Sequence, residues 1–336
     1  MSDPDTPRLP LGRLSFVIPC YNEAEGLPEL LRRLGDLSDE LLSKGLIAAP
    51  PLLVLVDDGS TDATWEIIEK AAQAPASEAG AGTPRVRGVR LSRNHGHQAA
   101  LLAGLLSAPG DVLISMDADL QDDPAAIPRM IEAHGRGAEI VFGVRSSRQA
   151  DTAFKRRSAR MYYETLRSMG VDIVADHADY RLMSRRAIET LRRYDEVNLF
   201  LRGIVRQIGF DTEIVEYERP ERFAGESKYP LGKMLALALD GVTSFSIRPL
   251  RYATWIGLAA AGMSFLMVLY SVVGWAMGRT VEGWASIVVA VFMLGGFQLI
   301  ALGIIGEYVG KIYMETKRRP RFIVDEIVGP DPEDGP

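Results

Sequence analysis

Asp111 to Pro124 reads DVLISMDADLQDDP, and this stretch decides the fold. An apolar run passes directly into acids and then into a proline suited to the first turn of a helix. The pattern recurs upstream. LSFVIP ends in Pro19-Cys20-Tyr21-Asn22-Glu23, and LLVLV ends in Asp57-Asp58-Gly59-Ser60-Thr61-Asp62. With VRGVRLS and EIVFGVR these runs read as buried strands. Helical patterns over Glu25–Leu42, Asp62–Ala74 and Pro124–His134 separate them. Alternation of this kind predicts an α/β fold with a parallel, Rossmann-like sheet. In such sheets ligands bind beyond the carboxyl ends of the strands, where the polar clusters lie. No G-x-G-x-x-G follows a strand and no G-x-x-x-x-G-K-[ST] occurs, so dinucleotide and P-loop readings lack specific support.

Asp117 and Asp119 stand at i and i+2, and on an extended segment both face one side. Gln121 adds a third oxygen in the same direction. Hard oxygen donors suit Mg²⁺ or Mn²⁺, with diphosphate oxygens and water completing the shell. A lone D-x-D also occurs as ordinary acids at a loop start; the strand before it and the proline-started helix after it favour the metal reading. His95, His97, His134 and His177 show no metal-ligand spacing. His97 is expected to help bind a nucleotide or cap the following helix. Cys20 reads as a packed small residue, because no basic partner lies near it in sequence.

At roughly 150 residues per domain, 336 residues suggest two structural units. An apolar fraction of 47% with 24% charged residues excludes a disordered chain. Lys and Arg total 38 against 44 Asp and Glu, and a net charge of -6 argues against a nucleic-acid binder. The single cysteine excludes an internal disulfide and a Cys-based zinc cluster. MSDPDTPRLPLGR lacks the apolar core of a secretory signal.

Ala253–Gly278 and Trp284–Gly306 contain no charged residue, and each exceeds the roughly 20 residues that cross a bilayer core. The alternative is a pair of long buried helices in a soluble protein. Arg248 and Arg251 precede the pair; Lys311, Lys317, Arg318, Arg319 and Arg321 follow it; the connector holds Arg279 against Glu282. This asymmetry places both flanks, and the large N-terminal part, on the cytoplasmic side. Lys228–Arg251 has helical apolar spacing and reads as an amphipathic helix on the membrane surface, or as an ordinary surface helix. Gly295, Gly296, Gly303, Gly306 and Gly310 permit close helix packing, within the chain or between chains.

Several motifs occur together in order: VIPCYNEAEGL, LVDDGSTDAT, LSRNHGHQAALLAGL, SMDADLQDDP, FGVRSSR, DYRLMSRRAI, FLRGIVRQIGF and RFAGESKYPLGKM, then the apolar hairpin. From Leu14 to Arg321 the chain resembles the polyprenyl-phosphate glycosyltransferases of family 2, which have the type-A glycosyltransferase fold. Bactoprenol glucosyltransferases are the nearer likeness and dolichyl-phosphate mannose synthases the more distant one. The resemblance implies a tail over 1–13, a catalytic domain over 14–227, the juxtamembrane helix over 228–251, a membrane hairpin over 252–313 and a cytoplasmic tail over 314–336. It implies that Pro19, Tyr21, Glu23, Val56 and Asp58 line the nucleotide pocket, with Asp57 beside it. Asp117, Ala118, Asp119 and Gln121 would hold the metal and the donor diphosphate. Arg145 would contact a phosphate with Arg148 assisting, and Asp179 and Arg181 would face the reacting centre. Arg222, Ser227 and Lys228 would close over the site or meet the lipid phosphate. QDDP stands where QDPP or QHPP is usual, which alters only a helix start. HADYRLM stands for an AGDFRLM-like run, and Ala178 in place of glycine bears on the backbone near Asp179.

The implied reaction moves a hexose from a nucleotide-diphosphate sugar, UDP-glucose foremost and GDP-mannose as the alternative, onto undecaprenyl phosphate. The implied assembly is a homo-oligomer, a tetramer by likeness. A lipid phosphate has a second pKa near 6, so its oxygen is mostly anionic at neutral pH and needs little help from a base. The site needs positive charge instead, and Arg145, Arg148, Arg181, Arg222 and Lys228 supply guanidinium or ammonium groups for it. Those cations also fit a solvated basic face near anionic lipids. Asp179 reads as an acceptor-orienting group, or as a plain ion-pair partner of Arg181 or Arg185. Two rivals from other classes are a silent nucleotide-sugar-binding adaptor and a transporter subunit. Two spans without intramembrane charge make a poor transport path.

Overall fold

The computed structural model describes residues 10–74, 82–145, 177–197, 201–217, 248–278 and 283–330. Among these the chain forms two compact units. One holds the residues up to 217 together with 320–330, and the other holds 248–278 and 283–319.

The first unit begins with alternating elements: β1 (Leu14–Cys20), α1 (Leu27–Ser43), β2 (Leu52–Asp57), α2 (Thr64–Ala72), β3 (Arg85–Leu91), α3 (His97–Ser107) and β4 (Val112–Ser115). A single 3₁₀ turn, Pro124–Ala126, leads into α4 (Ile127–Gly135) and β5 (Ile140–Arg145). β6 (His177–Ser184), α5 (Arg185–Leu191), α6 (Leu201–Gln207) and β7 (Thr212–Tyr217) follow, and β8 (Val324–Val328) comes from the far end of the chain. The strands form one sheet in the order β7-β5-β6-β4-β1-β2-β3-β8.

β1 lies between β2 and β4, parallel to both, and β2 is parallel to β3. Those four strands match the expected parallel sheet. The full sheet is mixed, because β6 enters antiparallel between β4 and β5, and β8 lies antiparallel on β3. The antiparallel entry has a geometric consequence. β6 begins where β4 ends, with Ser115 opposite Arg181. Continuing that register by two residues brings Asp117 alongside Asp179.

α1 starts at Leu27, with Pro28 in its first turn, and its Leu27, Leu30, Leu34, Leu37 and Leu41 form one buried stripe. They pack with Phe16, Ile18, Leu53, Leu55 and Ile114 from the sheet in one core. α3 packs on the sheet at Gly104, where an added Cβ would stand 2.4 Å from Val17 Cγ1 and 2.8 Å from Val56 Cγ2. That close approach fixes the height of the helix whose first residue is His97.

The second unit contains α7 (Arg248–Ala276) and α8 (Trp284–Lys317). Both contain windows long and apolar enough to cross a membrane, and 0% of each window is buried. Leu258, Phe265, Tyr270, Leu299 and Leu302 are more than half exposed. Core helices of a soluble protein would be covered, so the buried-pair alternative does not describe these two. α7 begins at Arg248; the rest of the amphipathic helix expected over 228–251 lies outside the described residues.

The segment expected as a tail over 314–336 contains β8, so after α8 the chain returns to the sheet of the first unit. Replacing Gly104 with Ala should destabilise the first unit by about 1–3 kcal/mol, because the new methyl overpacks Val17 and Val56. Urea unfolding followed by tryptophan fluorescence measures this, and an unchanged midpoint would contradict the packing argument.

Candidate active site

The polar clusters converge at the carboxyl ends of β1, β2 and β4. Pro19 lies in register with Val56 and Cys20 with Asp57, which sets the two upstream clusters side by side. The turn after β1 is tied to the one after β2. Asn22 N–H donates to Ser60 Oγ at 3.0 Å, Glu23 N–H to Thr64 Oγ1 at 2.9 Å, and Ala24 N–H to Asp62 at 3.2 Å. Tyr21 is left half exposed at the rim. A Cβ built on Gly26 would lie within 4 Å of both Glu23 Oε2 and the Ala118 carbonyl, so those two expected pocket residues are neighbours.

Asp57 and Asp58 are buried. Asp57 accepts the Ser60 N–H at 3.3 Å. Asp58 accepts from His95 N–H at 2.7 Å and Gly96 N–H at 2.9 Å, which anchors the loop leading into α3. Burial pushes the Asp58 carboxyl up despite those two donors. Gly59 has φ 68°, and a side chain there would meet the Arg93 and Asn94 backbone at 2.5–2.6 Å. Only glycine lets the two loops touch this closely.

The loop after β4 is a turn and not the extended segment expected from the sequence. β4 stops at Ser115, and Leu120 adopts a left-handed φ of 60°. Asp119 accepts the Gln121 N–H at 3.2 Å, and Asp117 N–H donates to Asp122 at 3.2 Å. Asp122 is buried and also accepts from Tyr217 Oη at 2.6 Å, so β7 pins the acidic loop. Asp123 caps the 3₁₀ turn through the Ala125 N–H at 2.9 Å, as expected for a change confined to a helix start. Ala178 sits within strand β6, a conformation that needs no glycine.

Asp179 is the hub. Arg181, fully buried, forms a short ion pair with its Oδ1. Its Oδ2 receives His97 Nε2 at 3.2 Å, Gln98 Nε2 at 3.3 Å and Arg202 at 3.4 Å. Ser115 Oγ donates to the Asp179 carbonyl at 2.6 Å, locking β6 to β4. Burial opposes ionisation of Asp179, yet Arg181, the His97 bond and Arg202 outweigh it and hold the carboxyl far below the usual range. Of the two ion-pair partners considered from sequence, Arg181 is the actual one. Arg185 instead donates to the Gly110 and Ala108 carbonyls at 2.7 and 2.8 Å.

Asp117 behaves in the opposite way. Burial and the neighbouring Asp122 push its carboxyl up to about 7, with Asp179 and Asp119 adding to the rise. His97 Nε2 stands 3.5 Å from Asp117 and so bridges the two carboxylates. His97 itself would be pushed down by burial, but its bond to Asp179 and the charge of Asp117 raise it.

A divalent cation fits this site. Asp117 Oδ1 is buried and makes no hydrogen bond, and its carboxyl is held up by burial and then by the like charge of Asp122, which a cation would relieve. Among the described residues no three His, Cys, Asp or Glu side chains form a ready-made metal cage. Gln121 is buried, and its Nε2 lacks a partner.

Asp117, Asp179 and Arg181 are thus brought together, and Glu23 meets Ala118. Arg145 closes β5 opposite Tyr217, but its side chain, and Arg148, Arg222, Ser227 and Lys228 entirely, lie outside the described residues. Sequence reasoning gave no role to Arg202, Gln98, Asp122 or Tyr217. Arg202 stands in FLRGIVRQIGF, a motif without an evident task until α6 is seen beside β6.

Residues 15–192 match glycosyl transferase family 2. An uncharacterized glycosyltransferase of Bacillus subtilis, YkoT, is 45% identical over 93% of this chain and 91% of its own length. A second from the same organism, YkcC, is 41% identical over 94% of each chain. The bactoprenol glucosyl transferase of Shigella phage SfX is 38% identical over 93% of this chain and 98% of its own.

The two carboxylates predict opposite stability effects. Asp117 binds its proton more tightly folded than unfolded, so the folded state loses stability as pH rises from about 4 to about 7. Metal-free Asp117→Asn protein at pH 8 should therefore be more stable, by about 1–2 kcal/mol after allowing for partial exposure, or a few degrees in Tm. Asp179→Asn should cost about 3–5 kcal/mol, because Arg181 is left buried without its counter-charge. Thermal melts of both variants with EDTA at pH 8 would refute the assignment if the signs were equal.

Proposed function

The chain belongs to glycosyl transferase family 2, and from that premise we propose that it is a membrane-anchored, inverting polyprenyl-phosphate hexosyltransferase. Its donor is UDP-glucose and its acceptor undecaprenyl phosphate. The observation that carries this reading is the 38% identity to bactoprenol glucosyl transferases over 93% of the chain, a span that takes in the two apolar helices. A GDP-mannose donor is the alternative.

The chemistry follows from charge. An oxygen of the lipid phosphate attacks the anomeric carbon, and a new carbon–oxygen bond forms as the bond to the donor diphosphate breaks. The electron pair leaves on the nucleoside diphosphate, and the anomeric configuration inverts. Asp179, held ionised among cations, is unsuited to take a proton and acts as an anchor for Arg181, His97 and Arg202. Arg202, with Arg145, Arg148, Arg222 and Lys228, gathers two anionic substrates, while the buried Arg181 adds its charge to the site without touching them. Pro19, Tyr21, Glu23, Val56 and Asp58 hold the nucleotide. Asp117, Asp119 and Gln121 would hold Mg²⁺ or Mn²⁺, which neutralises charge on the departing diphosphate.

The membrane placement is supported by the charge-free helices and by the positive residues that flank them. We place the catalytic domain and both termini in the cytoplasm at the inner membrane, the assembly being a homo-oligomer.

Detergent-purified protein with undecaprenyl phosphate, Mg²⁺ and radiolabelled UDP- and GDP-sugars should put label into the lipid extract from one donor. EDTA and Asp119→Ala should each remove at least about 90% of it, a loss of a metal contact costing roughly tenfold or more. Label that survives both treatments would retain the transferase and overturn the metal. No label from any donor, with nucleotide still bound, would favour the adaptor.

A further inference from the structure

Within thirteen residues of leaving α8, the chain makes four separate attachments to the first unit. Arg321 donates to the Tyr194 carbonyl at 2.7 Å and lies 3.8 Å from Asp195. The Ile323 carbonyl accepts the Ser92 N–H at 3.0 Å. β8 then pairs with β3 from Leu91 back to Gly88. Arg87, itself buried, donates to the Pro330 carbonyl at 2.8 Å. The fit is tight at Gly88, where a Cβ would lie 2.8 Å from Val328 Cγ2, and Gly329 turns with φ 98° against the Val86 carbonyl.

Ser92 opens the loop that matters most to the site. Three and four residues on, His95 and Gly96 give their N–H groups to Asp58. The next residue, His97, meets Asp179 and Asp117. The same loop abuts Gly59 so closely that no side chain fits between. Five residues therefore separate a hydrogen bond to the post-hairpin segment from contacts to both the expected nucleotide pocket and the acidic centre. A loop of that length held at both ends has little freedom left, and releasing one end returns conformational entropy to it.

Resting on the donor-pocket reading above, we propose that residues 321–330 are a positioning strap. The segment follows directly on the apolar hairpin, holds loop Ser92–Gly96 and so orders the donor pocket. The strap contacts no substrate. It acts through Ser92, Asp58 and His97, and Val328 seats it on the sheet. Anchoring and donor binding are coupled in consequence: a chain whose strap is unseated binds nucleotide more weakly while its core remains folded.

The test uses the full chain in detergent with Val328→Asp, which places a charge on the inner face of β8, and the milder Val328→Ala. Amide hydrogen exchange is followed at Ser92, His95 and Gly96, with Phe16–Ile18 of β1 reporting global unfolding. Binding of UDP and of GDP, each with Mg²⁺, is titrated in parallel. The strap predicts faster exchange at Ser92–Gly96 with β1 unchanged, and a nucleotide Kd raised roughly tenfold in Val328→Asp and less in Val328→Ala. In turnover the donor KM should rise while kcat changes little, a split that general instability does not produce. Unaltered exchange at Ser92–Gly96, or an unaltered Kd with the strap released, would overturn the proposal. If Val328→Asp exposes β1, Val328→Ala decides the question. If the unmodified chain binds neither nucleotide, the donor-pocket reading fails, and the exchange data alone judge the coupling of strap to loop.

Discussion

The buried ion pair between Asp179 and Arg181 constrains everything around it. Both side chains are almost wholly out of water, and charges so placed persist only when paired and hydrogen-bonded. The pair therefore dictates its neighbours. α3 must present His97 and Gln98, α6 must present Arg202, and Ser115 must hold the Asp179 backbone. A pair that is expensive to bury and expensive to break adds little net stability. Its value lies in allowing one arrangement of four elements and penalising others.

That arrangement divides two neighbouring carboxylates by environment. Asp179 has cations on both oxygens and stays ionised; Asp117, in the turn just past β4, is buried beside acids and is held up near neutrality. His97 touches both. Such a split is what assigns different tasks to like groups in a site. Asp179 is spent on cations and makes a poor base, whereas Asp117 has an unsatisfied oxygen that a cation would satisfy. An acceptor that arrives already anionic needs no proton taken by Asp179, so the electrostatics and the proposed phosphate acceptor agree.

The connectivity adds a second constraint. The apolar helices are not appended to a finished domain; they interrupt it, because the outermost strand of the sheet comes after them. The first unit cannot complete its sheet until the hairpin has been traversed. β8 also covers the edge of β3, which would otherwise expose unpaired backbone groups. A short strand thus caps the sheet.

Much of this was legible in the residues. The strands ending in acids, the helices between them and the two charge-free stretches announce themselves through local patterns of two kinds, periodicity and uninterrupted apolar length. The D-x-D loop was found for the same reason, although its turned backbone was not, since Leu120 gives no sign of a left-handed conformation. Arg202, Gln98 and Tyr217 were silent because their meaning is not local: each reaches a residue 23 to 95 positions away. Val324–Val328 is too short and too acidic to read as a strand before β3 is seen beside it. By itself the sequence determined the class of fold, the apolar hairpin and the acids at the strand ends, because these depend on neighbours along the chain. Only the tertiary structure decided that β6 runs antiparallel, that Asp179 is an anchor and that the C-terminus closes the sheet. Those outcomes depend on which distant groups share a desolvated space, and burial energies are set there.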